Sequence, residues 1–335
     1  MVPGHEVVGV VTSVGSEVTK YQVGDHVGVG CMVNSCGSCE ACDDHSEQFC
    51  GQCAYTYNGT EGGQPTYGGY STTMVADEAF VLKVPDNLPL DAAAPLLCAG
   101  TIGGHEPSVK CPLSYTCLRP SSYVVIDVIN ITAQCTTSFP SGITVYSPIV
   151  RHGLNKPGLR VGVAGLGGLG HMAVKFFKAF GCHVTVLSTS PNKREEAIKV
   201  LGADEFLVSR DADAMASAAK SLNGIVDTIS ANHDIKAFIN LLKFNGKLLL
   251  VGAPPTDYSV SAFQLLFANV VIAGSLIGGV KETQEMLDYC GEKNITCTIE
   301  KIPATPESVN TAMERLAKGD VHYRFVLDVA ETLKA

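Results

Sequence analysis

The sequence predicts an α/β protein with a doubly wound parallel sheet and a second, smaller β-rich unit. From about residue 159 onward, apolar segments typical of buried strands alternate with helical segments, which is the pattern of a parallel sheet covered by helices. Residues 1 to about 100 instead hold short β-forming segments between Gly, Pro and Asp, as in a small barrel. The length of 335 residues also favours two domains over one.

The elements follow in order along the chain. In the β-rich part the predicted strands are EVVGVVTSVG, DHVGVG, GGYSTTMVAD and AFVLKVP. The alternating part begins with the strand LRVGVAG, the helix HMAVKFFKAFG, the strand HVTVLST and the helix KREEAIKVLG. It continues with the strands EFLVS, IVDTIS, GKLLLVG and VVIAGS and the helix IKAFINLLKF. After about residue 278 we expect two helices, VKETQEMLDYCGEKN and ESVNTAMERLAKG, and two strands, CTIEKIP and YRFVLDV.

Residues 101–142 match neither part. They hold three cysteines, many Ser and Thr, and no sustained hydrophobic period. Connections longer than about 15 residues without secondary structure are uncommon in compact domains. A structureless stretch of 42 residues inside a compact domain is therefore improbable, and we interpret the segment as foreign to the fold.

Composition and charge argue against several classes of partner and location. The net charge of −9 and pI near 5.5 argue against nucleic acid or an anionic membrane as partner. The longest nearly apolar stretch, Phe267 to Val280, is too short to span a bilayer. The opening MVPGHEVVG carries no signal-peptide pattern, so the thirteen cysteines favour metal ligands over disulfides and a cytoplasmic location.

A glycine-rich turn follows the strand LRVGVAG and opens a helix: Gly165, Leu166, Gly167, Gly168, Leu169 and Gly170. Such glycines permit a tight turn, close approach of a pyrophosphate, and close packing of helix on strand. The helix N-terminus would then present free N–H groups to the phosphates. The alternative is a glycine turn without a ligand, but the strand–turn–helix–strand context favours a dinucleotide site.

The next strand ends in Ser188, Thr189 and Ser190, with Lys193 close behind. An NAD site usually has an acidic residue here to bind the ribose 2′-hydroxyl, and this sequence has none. Hydroxyl groups and a lysine suit a 2′-phosphate, which favours NADP. The alternative is a helix N-cap at Ser190 followed by a solvated basic turn.

Four cysteines, Cys36, Cys39, Cys42 and Cys50, form the pattern C-x2-C-x2-C-x7-C. This spacing lets four thiolates converge on one tetrahedral ion, as in a closed structural zinc site. The alternative is a set of buried thiols, but a loop rich in Gly and charge is poor core material. Cys31 and Cys53, which flank the four, are interpreted as bystanders.

His5 and Glu6 after Gly4, and Cys98 in APLLCAG, are weaker signals on their own. A single histidine or cysteine is more often a packed side chain than a ligand. A catalytic zinc ion, however, takes N and S ligands of these types and keeps a position open for substrate.

Taken together, GHE, the four cysteines, PLLCAG, GLGGLG and MERLAKGDVHYRFVLDV resemble the plant cinnamyl alcohol dehydrogenases and the related mannitol and hydroxygeraniol dehydrogenases. These enzymes are zinc-dependent medium-chain alcohol dehydrogenases. The resemblance covers nearly all residues outside 101–142. It implies a GroES-like catalytic domain at 1–100, a non-family insertion at 101–142, a Rossmann NADP-binding domain at 143–277, and a return to the catalytic domain at 278–335.

The resemblance also implies site residues. The catalytic zinc would be bound by His5, Cys98 and a cysteine upstream of residue 1, with Glu6 beside the metal and able to ligate it. The structural zinc falls on the four cysteines, and Tyr55 stands where lignin-type members place a substrate-contacting tryptophan. The implied NADP contacts are Thr144, Gly165, Leu166, Gly167, Gly168, Leu169, Gly170, Ser188, Thr189, Ser190, Lys193, Thr228, Gly252, Ser275, Leu276 and Ile277.

The implied function is hydride transfer between NADP(H) and a small primary alcohol or aldehyde of the cinnamyl type, in lignin biosynthesis or a hydroxygeraniol-like route, by a homodimer. A catalytically inactive isoform that binds NADPH and zinc is the alternative. A zinc-free quinone reductase is a third hypothesis, against which the four cysteines and GHE both count.

Two departures from the family bear on activity. The chain begins at GHE, so the upstream zinc cysteine and the proton relay are expected to be missing. Joining Gly100 to Ile143 would restore the family pattern, so 101–142 is interpreted as a retained intron or a gene-model error. His105, Cys111, Cys117 and Cys135 are therefore not counted as ligands, and little activity is expected.

Overall fold

The computed structural model describes residues 2–98, 120–133 and 142–333, which form two compact units. Unit 1 comprises Met1–Ile143 and Ile277–Ala335, and unit 2 comprises Thr144–Leu276. Unit 2 thus begins and ends within one residue of the predicted dinucleotide domain, 143–277. His105, Cys111, Cys117 and Cys135 lie outside the described residues.

The first part of unit 1 consists of short strands and single turns of helix. Strand β1 shows the expected alternation only in part, because Val7, Val8 and Val11 are all fully buried against the core. The strands are β1 (Val7–Val14), β2 (His26–Val29), β3 (Met32–Asn34), β4 (Ala54–Tyr55), β5 (Thr60–Glu61), β6 (Gln64–Pro65), β7 (Thr73–Asp77), β8 (Val81–Lys83) and β9 (Tyr123–Ala133). The helices are α1 (Glu40–Asp43) and α2 (Leu90–Ala93).

Unit 2 alternates strands and helices as the sequence predicts, except that the segment KREEAIKVLG, predicted as a helix, forms a short π-helix at Glu196–Val200. Among the described residues its sheet is parallel, in the order β12-β11-β10-β13-β14-β15. The strands are β10 (Arg160–Ala164), β11 (His183–Ser188), β12 (Glu205–Val208), β13 (Leu222–Asp227), β14 (Leu242–Leu250) and β15 (Val271–Gly274). The helices are α3 (Ile143–Arg151), α4 (Gly168–Ala179), α5 (Ala212–Ser217), α6 (Ile235–Leu241) and α7 (Ala262–Ala268).

The last part of the chain returns to unit 1. It contains α8 (Val280–Lys293), β16 (Ile299–Pro303), α9 (Pro306–Ala317), β17 (Arg324–Asp328) and α10 (Val329–Thr332). Helix α9 begins where expected, because the Thr305 hydroxyl accepts a hydrogen bond from the Ser308 amide and Pro306 occupies the first turn. In the described part of unit 1 the main sheet has the order β16-β17-β9-β1-β2-β8, with β7 also paired to β9.

Strand β9 shows that part of 101–142 has regular secondary structure, although the sequence analysis predicted no element there. It lies inside the main sheet, antiparallel to β1 on one side and to β7 and β17 on the other. Val124, Ile126 and Val128 are buried in the core of unit 1, whereas Asp127 between them is exposed. The period-two alternation of a half-buried strand was thus present in YVVIDVINIT. Over all 42 residues this short alternation is hidden, because the sequence around it is rich in Ser and Thr and has no regular period.

The fold class predicted from the sequence, a doubly wound parallel sheet with a second β-rich unit, is confirmed. Among the described residues, no helix combines the length and the apolar character that crossing a membrane requires.

Candidate metal and cofactor sites

Cys36, Cys39, Cys42 and Cys50 converge in one loop of unit 1. Their sulfur atoms all lie within 4.8 Å of one another. The loop achieves this because α1 begins directly after Cys39 and a turn of 3₁₀-helix (Glu47–Phe49) leads into Cys50. The four residues predicted as a structural zinc site are therefore brought together.

The spacing of these sulfurs fits zinc. The Sγ atoms of Cys36 and Cys42 are 3.9 Å apart, and those of Cys39 and Cys42 are 3.6 Å apart. Four sulfurs at about 2.3 Å from one zinc ion lie about 3.8 Å from each other, whereas a disulfide requires about 2.05 Å. The donor set and its geometry thus match a tetrahedral thiolate site.

Backbone amides support negative charge on the sulfurs of Cys36 and Cys50. The amides of Cys36 and Gln52 donate to the Cys50 Sγ at 3.5 Å and 3.4 Å. The Ser38 amide, followed by the neighbouring thiols, lowers the pKa of Cys36 to about 6. Amide donors of this kind orient metal-bound thiolates and reduce the cost of deprotonating them.

A second group of metal-ligand type consists of His5, Cys31 and Cys98, whose ligand atoms also lie within 4.8 Å of one another. The three side chains are 3%, 5% and 0% exposed. Two sulfurs and one imidazole nitrogen leave one position of a tetrahedral ion open, which is the arrangement of catalytic rather than structural zinc.

The His5 side chain is prepared for a ligand. Its Nε2 is buried and has no hydrogen-bond partner, although an unsatisfied buried nitrogen costs about 1–3 kcal/mol. The ring stacks on Tyr57 with centroids 5.5 Å apart. Burial, aided by the charge of Arg324, lowers the pKa of His5 to about 3, so the imidazole is neutral. A neutral imidazole is the form that binds metal ions.

Glu6 faces a different partner. Both of its carboxylate oxygens lie 3.4 Å from Nη2 of Arg324, and both side chains are buried. It is not part of the group formed by His5, Cys31 and Cys98. Its suggested role as a zinc ligand remains a prediction.

Cys31 lies outside the four-cysteine group, as expected, but the sequence analysis did not place it beside His5 and Cys98. The signal was available in the strand register. Because β1 and β2 are antiparallel with Val7 opposite Val29, the same register extended by two residues places His5 opposite Cys31. The spacing of the neighbouring cysteines is a local signal and carries no information on this longer-range pairing.

Tyr55, the predicted substrate residue, lies on β4 and is half-buried. Burial raises its pKa, and negative charge on Cys53, Cys31 and Cys98 raises it further. The hydroxyphenyl group of Tyr55 therefore lies near the group formed by His5, Cys31 and Cys98.

The glycine turn of unit 2 has the geometry that a dinucleotide requires. Gly165 has a φ of +89°, which disfavours any other residue there. A Cβ on Gly170 would lie 2.1 Å from the Gly165 carbonyl oxygen, so this glycine permits close packing of α4 on β10. A Cβ on Gly167 would meet nothing within 4 Å, which leaves that backbone open to a phosphate.

The predicted cofactor residues lie at the carboxyl ends of neighbouring parallel strands, where ligands of such sheets bind. Their positions follow the ends of β10, β11, β13, β14 and β15 in turn: Gly165, Ser188, Thr228, Gly252 and Ser275. Thr228 also closes the turn, since its hydroxyl donates to the Ala164 carbonyl at 2.8 Å. Leu276 ends unit 2 and Thr144 begins it, while Ile277 belongs to unit 1.

The Lys193 ammonium group lies over the glycine turn and donates to the Leu166 carbonyl at 2.7 Å. Ser188 ends β11, and its hydroxyl accepts a hydrogen bond from the Ser190 amide at 3.2 Å. The stretch from Ser188 to Arg194 contains no carboxylate. The residues present thus fit a phosphorylated ribose better than a free 2′-hydroxyl.

Comparison with known proteins agrees with this geometry. Residues 1–86 match the alcohol dehydrogenase GroES-like domain, and residues 168–292 match the zinc-binding dehydrogenase domain. A mannitol dehydrogenase from Petroselinum crispum is 53% identical over 335 residues, covering 100% of this chain and 86% of that protein.

Solved structures give the same result. A cinnamyl alcohol dehydrogenase from Sorghum bicolor has a TM-score of 0.83 and 46% identity, covering 99% of this chain and 82% of that one. The CAD of Helicobacter pylori in complex with NADP(H) has a TM-score of 0.79 and 35% identity, covering 99% and 83%. This chain therefore belongs to the zinc-dependent medium-chain alcohol dehydrogenases, as an enzyme of the branch that contains the plant cinnamyl alcohol and mannitol dehydrogenases.

Proposed function

We propose that this chain transfers a hydride between NADP(H) and a primary alcohol or aldehyde at a zinc ion held in unit 1. The observation that carries the proposal is the buried group that contains His5 and Cys98. In this group a neutral imidazole nitrogen and cysteine sulfurs lie within 4.8 Å of one another. Zinc bound there would polarise the substrate oxygen and favour the alkoxide at neutral pH. NADP, when bound in unit 2, supplies the acceptor of the hydride.

The chain's own residues perform three tasks in this proposal. His5 and Cys98 hold the metal, and their burial excludes water from it. Gly167 and the N-terminus of α4 bind the pyrophosphate, since the turn is open and the first amides of the helix are available to anions. Ser188, Thr189, Ser190 and Lys193 bind the 2′-phosphate and so select NADP over NAD.

The substrate that we propose is an aldehyde or alcohol of the cinnamyl type. Tyr55 supports an aromatic substrate, because its ring is half-buried and within electrostatic reach of Cys31 and Cys98. Mannitol is the alternative suggested by the relative from Petroselinum crispum. Turnover with cinnamaldehyde, a short aliphatic aldehyde and mannose, compared at equal concentration, separates these classes.

The activity test is NADPH oxidation by the purified, zinc-loaded chain. The two departures from the family led us to expect little activity, but the convergence of His5, Cys31 and Cys98 leads us to expect turnover with an aldehyde. Cys98→Ser should lose at least about 100-fold in turnover and keep its NADPH binding. Cys182→Ser is the matched control, because Cys182 is a buried free cysteine of unit 2. A folded chain that binds zinc and NADPH but turns over no aldehyde would contradict the proposal and match the inactive isoform.

We also propose that the chain forms a homodimer through the β15 edge of unit 2. Helix α7 leaves Phe263, Leu266 and Phe267 66%, 72% and 84% exposed, and β15 ends the sheet with Val271 44% exposed. An unpaired edge beside a large apolar surface favours pairing with a second copy. Phe267→Asp should convert a dimer into a monomer in analytical ultracentrifugation, and a wild-type monomer would contradict the proposal.

A cytoplasmic location is proposed from the cysteines. No disulfide joins the cysteines among the described residues, even where two sulfurs lie within 4 Å of each other in the four-cysteine loop. Free thiols at such distances persist in reducing compartments.

A further inference from the structure

We propose that Glu47 is a positioning residue for the cofactor. It holds the N-terminus of α8 against the four-cysteine loop and thereby fixes Ile277, a predicted NADP contact. The inference rests on the proposed function, because it presupposes that the chain binds NADP(H). It goes beyond that function by assigning a role in cofactor binding to a half-buried acidic residue of the four-cysteine loop.

Glu47 forms a hydrogen bond with each of two segments. Its backbone carbonyl accepts one from the Cys50 amide at 3.0 Å, which fixes the end of the four-cysteine loop. Its Oε2 accepts one from the Val280 amide at 3.1 Å, although 233 residues separate the two. Val280 is the first residue of α8, so its amide has no partner within the helix. The negative charge of Glu47 also suits the positive end of the helix dipole.

Gly279, which precedes α8, lets the helix approach the loop closely. A Cβ at this position would overlap the carbonyl oxygen of His45 and would lie 2.6 Å from Oε2 of Glu47. His45 belongs to the same loop, between Cys42 and Cys50. The φ of Gly279 is −69°, so it is packing and not backbone conformation that requires glycine here. The start of α8 therefore packs directly on the four-cysteine loop.

Ile277 depends on these contacts because its backbone is strained. Its φ is +41°, in the left-handed region that β-branched residues rarely adopt. Such a conformation persists only where the surrounding structure holds it. Ile277 is buried, and a Cβ on Gly278 would lie 2.5 Å from the Ile143 side chain. Since only Gly278 and Gly279 separate Ile277 from α8, a shift of the helix start would release the strained turn.

The strained turn follows two further predicted NADP contacts, Ser275 and Leu276. Without the Glu47 carboxylate this segment would be less ordered in the free protein, and the cofactor would have to order it on binding. That ordering costs conformational entropy, so NADPH affinity falls. Glu282 cannot take over this role, because its carboxylate accepts a hydrogen bond from the Gly279 amide at 3.3 Å, a different donor of the same helix end.

The test compares Glu47→Ala, Glu47→Gln and Glu40→Ala in the full chain. We expect Glu47→Ala to weaken NADPH binding by about tenfold, within the range for loss of one helix-capping contact. Glu47→Gln keeps an acceptor oxygen at the same place, so its dissociation constant should stay within about twofold of the wild type. Glu40, an exposed acidic residue of the same loop, is the matched control. Fluorescence titration measures NADPH binding, and metal analysis should show the same zinc content in all four proteins.

Hydrogen–deuterium exchange gives a second measurement that needs no cofactor. In the free protein, the amides of residues 277–282 should exchange faster in Glu47→Ala than in the wild type, whereas Glu47→Gln should match the wild type. Gly279→Ala covers the case in which Glu47→Ala fails to fold. It displaces α8 from the loop while the Glu47 carboxylate remains, so it should show the same faster exchange and the same weaker NADPH binding.

Several outcomes would overturn the inference. Wild-type NADPH affinity in Glu47→Ala would do so, as would equal losses in Glu47→Ala and Glu47→Gln. Loss of zinc from Glu47→Ala would also overturn it, because the effect would then come from the metal site.

The inference and the proposed function fail separately. If the wild type binds no NADPH, the proposed function falls, and faster exchange of residues 277–282 in Glu47→Ala still supports the positioning of this turn by Glu47. If the wild type binds NADPH and turns over an aldehyde while exchange in Glu47→Ala is unchanged, the inference alone falls.

Discussion

Arg324 and Glu6 form a buried ion pair in which Nη2 of the arginine lies 3.4 Å from each carboxylate oxygen, although 318 residues separate them. The two side chains are 2% and 0% exposed. The pair joins the start of β17 to the segment before β1, and it lies beside the proposed zinc ligand His5. The pair contributes to stability because both side chains are buried, so that either partner alone would be an uncompensated charge in the core.

We therefore expect Arg324→Met to lower the free energy of unfolding by about 3–5 kcal/mol. Glu6→Gln combined with Arg324→Met should lose much less, because no charge is then left unpaired. Lys199→Met is the control, since its ion pair with Glu195 is largely exposed and should contribute about 0.5 kcal/mol or less. Urea unfolding of the four proteins measures the differences. Equal losses in the single and double variants would show that packing, and not charge, dominates.

The place of β9 in the core is tested by two neighbouring residues. Ile126 is 1% exposed and Asp127 is exposed on the opposite face of the same strand. Ile126→Ala should lower the free energy of unfolding by about 2–4 kcal/mol, because it leaves a cavity. Asp127→Ala should change it by about 0.5 kcal/mol or less. If 101–142 were a loop outside the fold, neither variant would alter the unfolding midpoint.

Strand β9 and the Glu6–Arg324 pair show which parts of the structure a local sequence pattern can predict and which it cannot. The alternation Val124, Ile126, Val128 was visible in the sequence, and the error was to assign one structure to a segment of 42 residues. The strands of unit 2, the glycine turn and the convergence of the four cysteines were predicted correctly because each is encoded within about ten residues. The Glu6–Arg324 pair has no local signature, since it depends on the sheet order that brings β17 near β1.

The surroundings of Cys31 could be derived from the sequence only in part. Its partner His5 is 26 positions away, and the strand register that relates them could be derived from two predicted strands. Cys98 could not be added in this way, because its approach depends on packing at Gly30.

The four-cysteine loop should bind one zinc ion independently of the second site. All four sulfurs come from one loop, so loss of a single ligand should release the metal. We expect Cys39→Ser to lose one zinc ion per chain in metal analysis while retaining the other. Cys290→Ser, a buried cysteine far along the chain, serves as the control and should keep both. A folded Cys39→Ser protein with the wild-type zinc content would exclude the loop as a metal site.

His233 predicts a pH dependence of stability. Its Nε2 lies 2.7 Å from the buried Asp227 carboxylate and its Nδ1 lies 2.8 Å from the Ala231 carbonyl oxygen, so both ring nitrogens face acceptors. Burial alone would lower the pKa of His233, but the hydrogen bond to Asp227, the Ala231 carbonyl and the negative charge of Asp227 together raise it above 6.5.

Because the pKa is raised in the folded state, the stabilisation is fully present below about pH 6.5 and is lost as the pH rises through the folded value. The difference in unfolding free energy between wild type and His233→Phe should therefore be largest near pH 6 and shrink on the alkaline side. Urea unfolding at pH 6, 7 and 8 measures it. A difference that grows with pH would mean that His233 is neutral in the folded protein.

Lys193 should distinguish the two nicotinamide cofactors. Its ammonium group lies at the glycine turn, near the hydroxyl groups that end β11, where no carboxylate competes for the ribose. Lys193→Ala should weaken NADPH binding by about 1–2 kcal/mol more than NADH binding, the size of a charge-assisted contact. The loss of the hydrogen bond to the Leu166 carbonyl affects both cofactors alike, so only the difference reports on the phosphate. Lys199→Ala is the control, since that exposed lysine lies on the following turn of the chain and pairs with Glu195. Fluorescence titration of both cofactors gives the two dissociation constants, and an equal loss for NADPH and NADH would show that Lys193 supports the turn without contacting the 2′-phosphate.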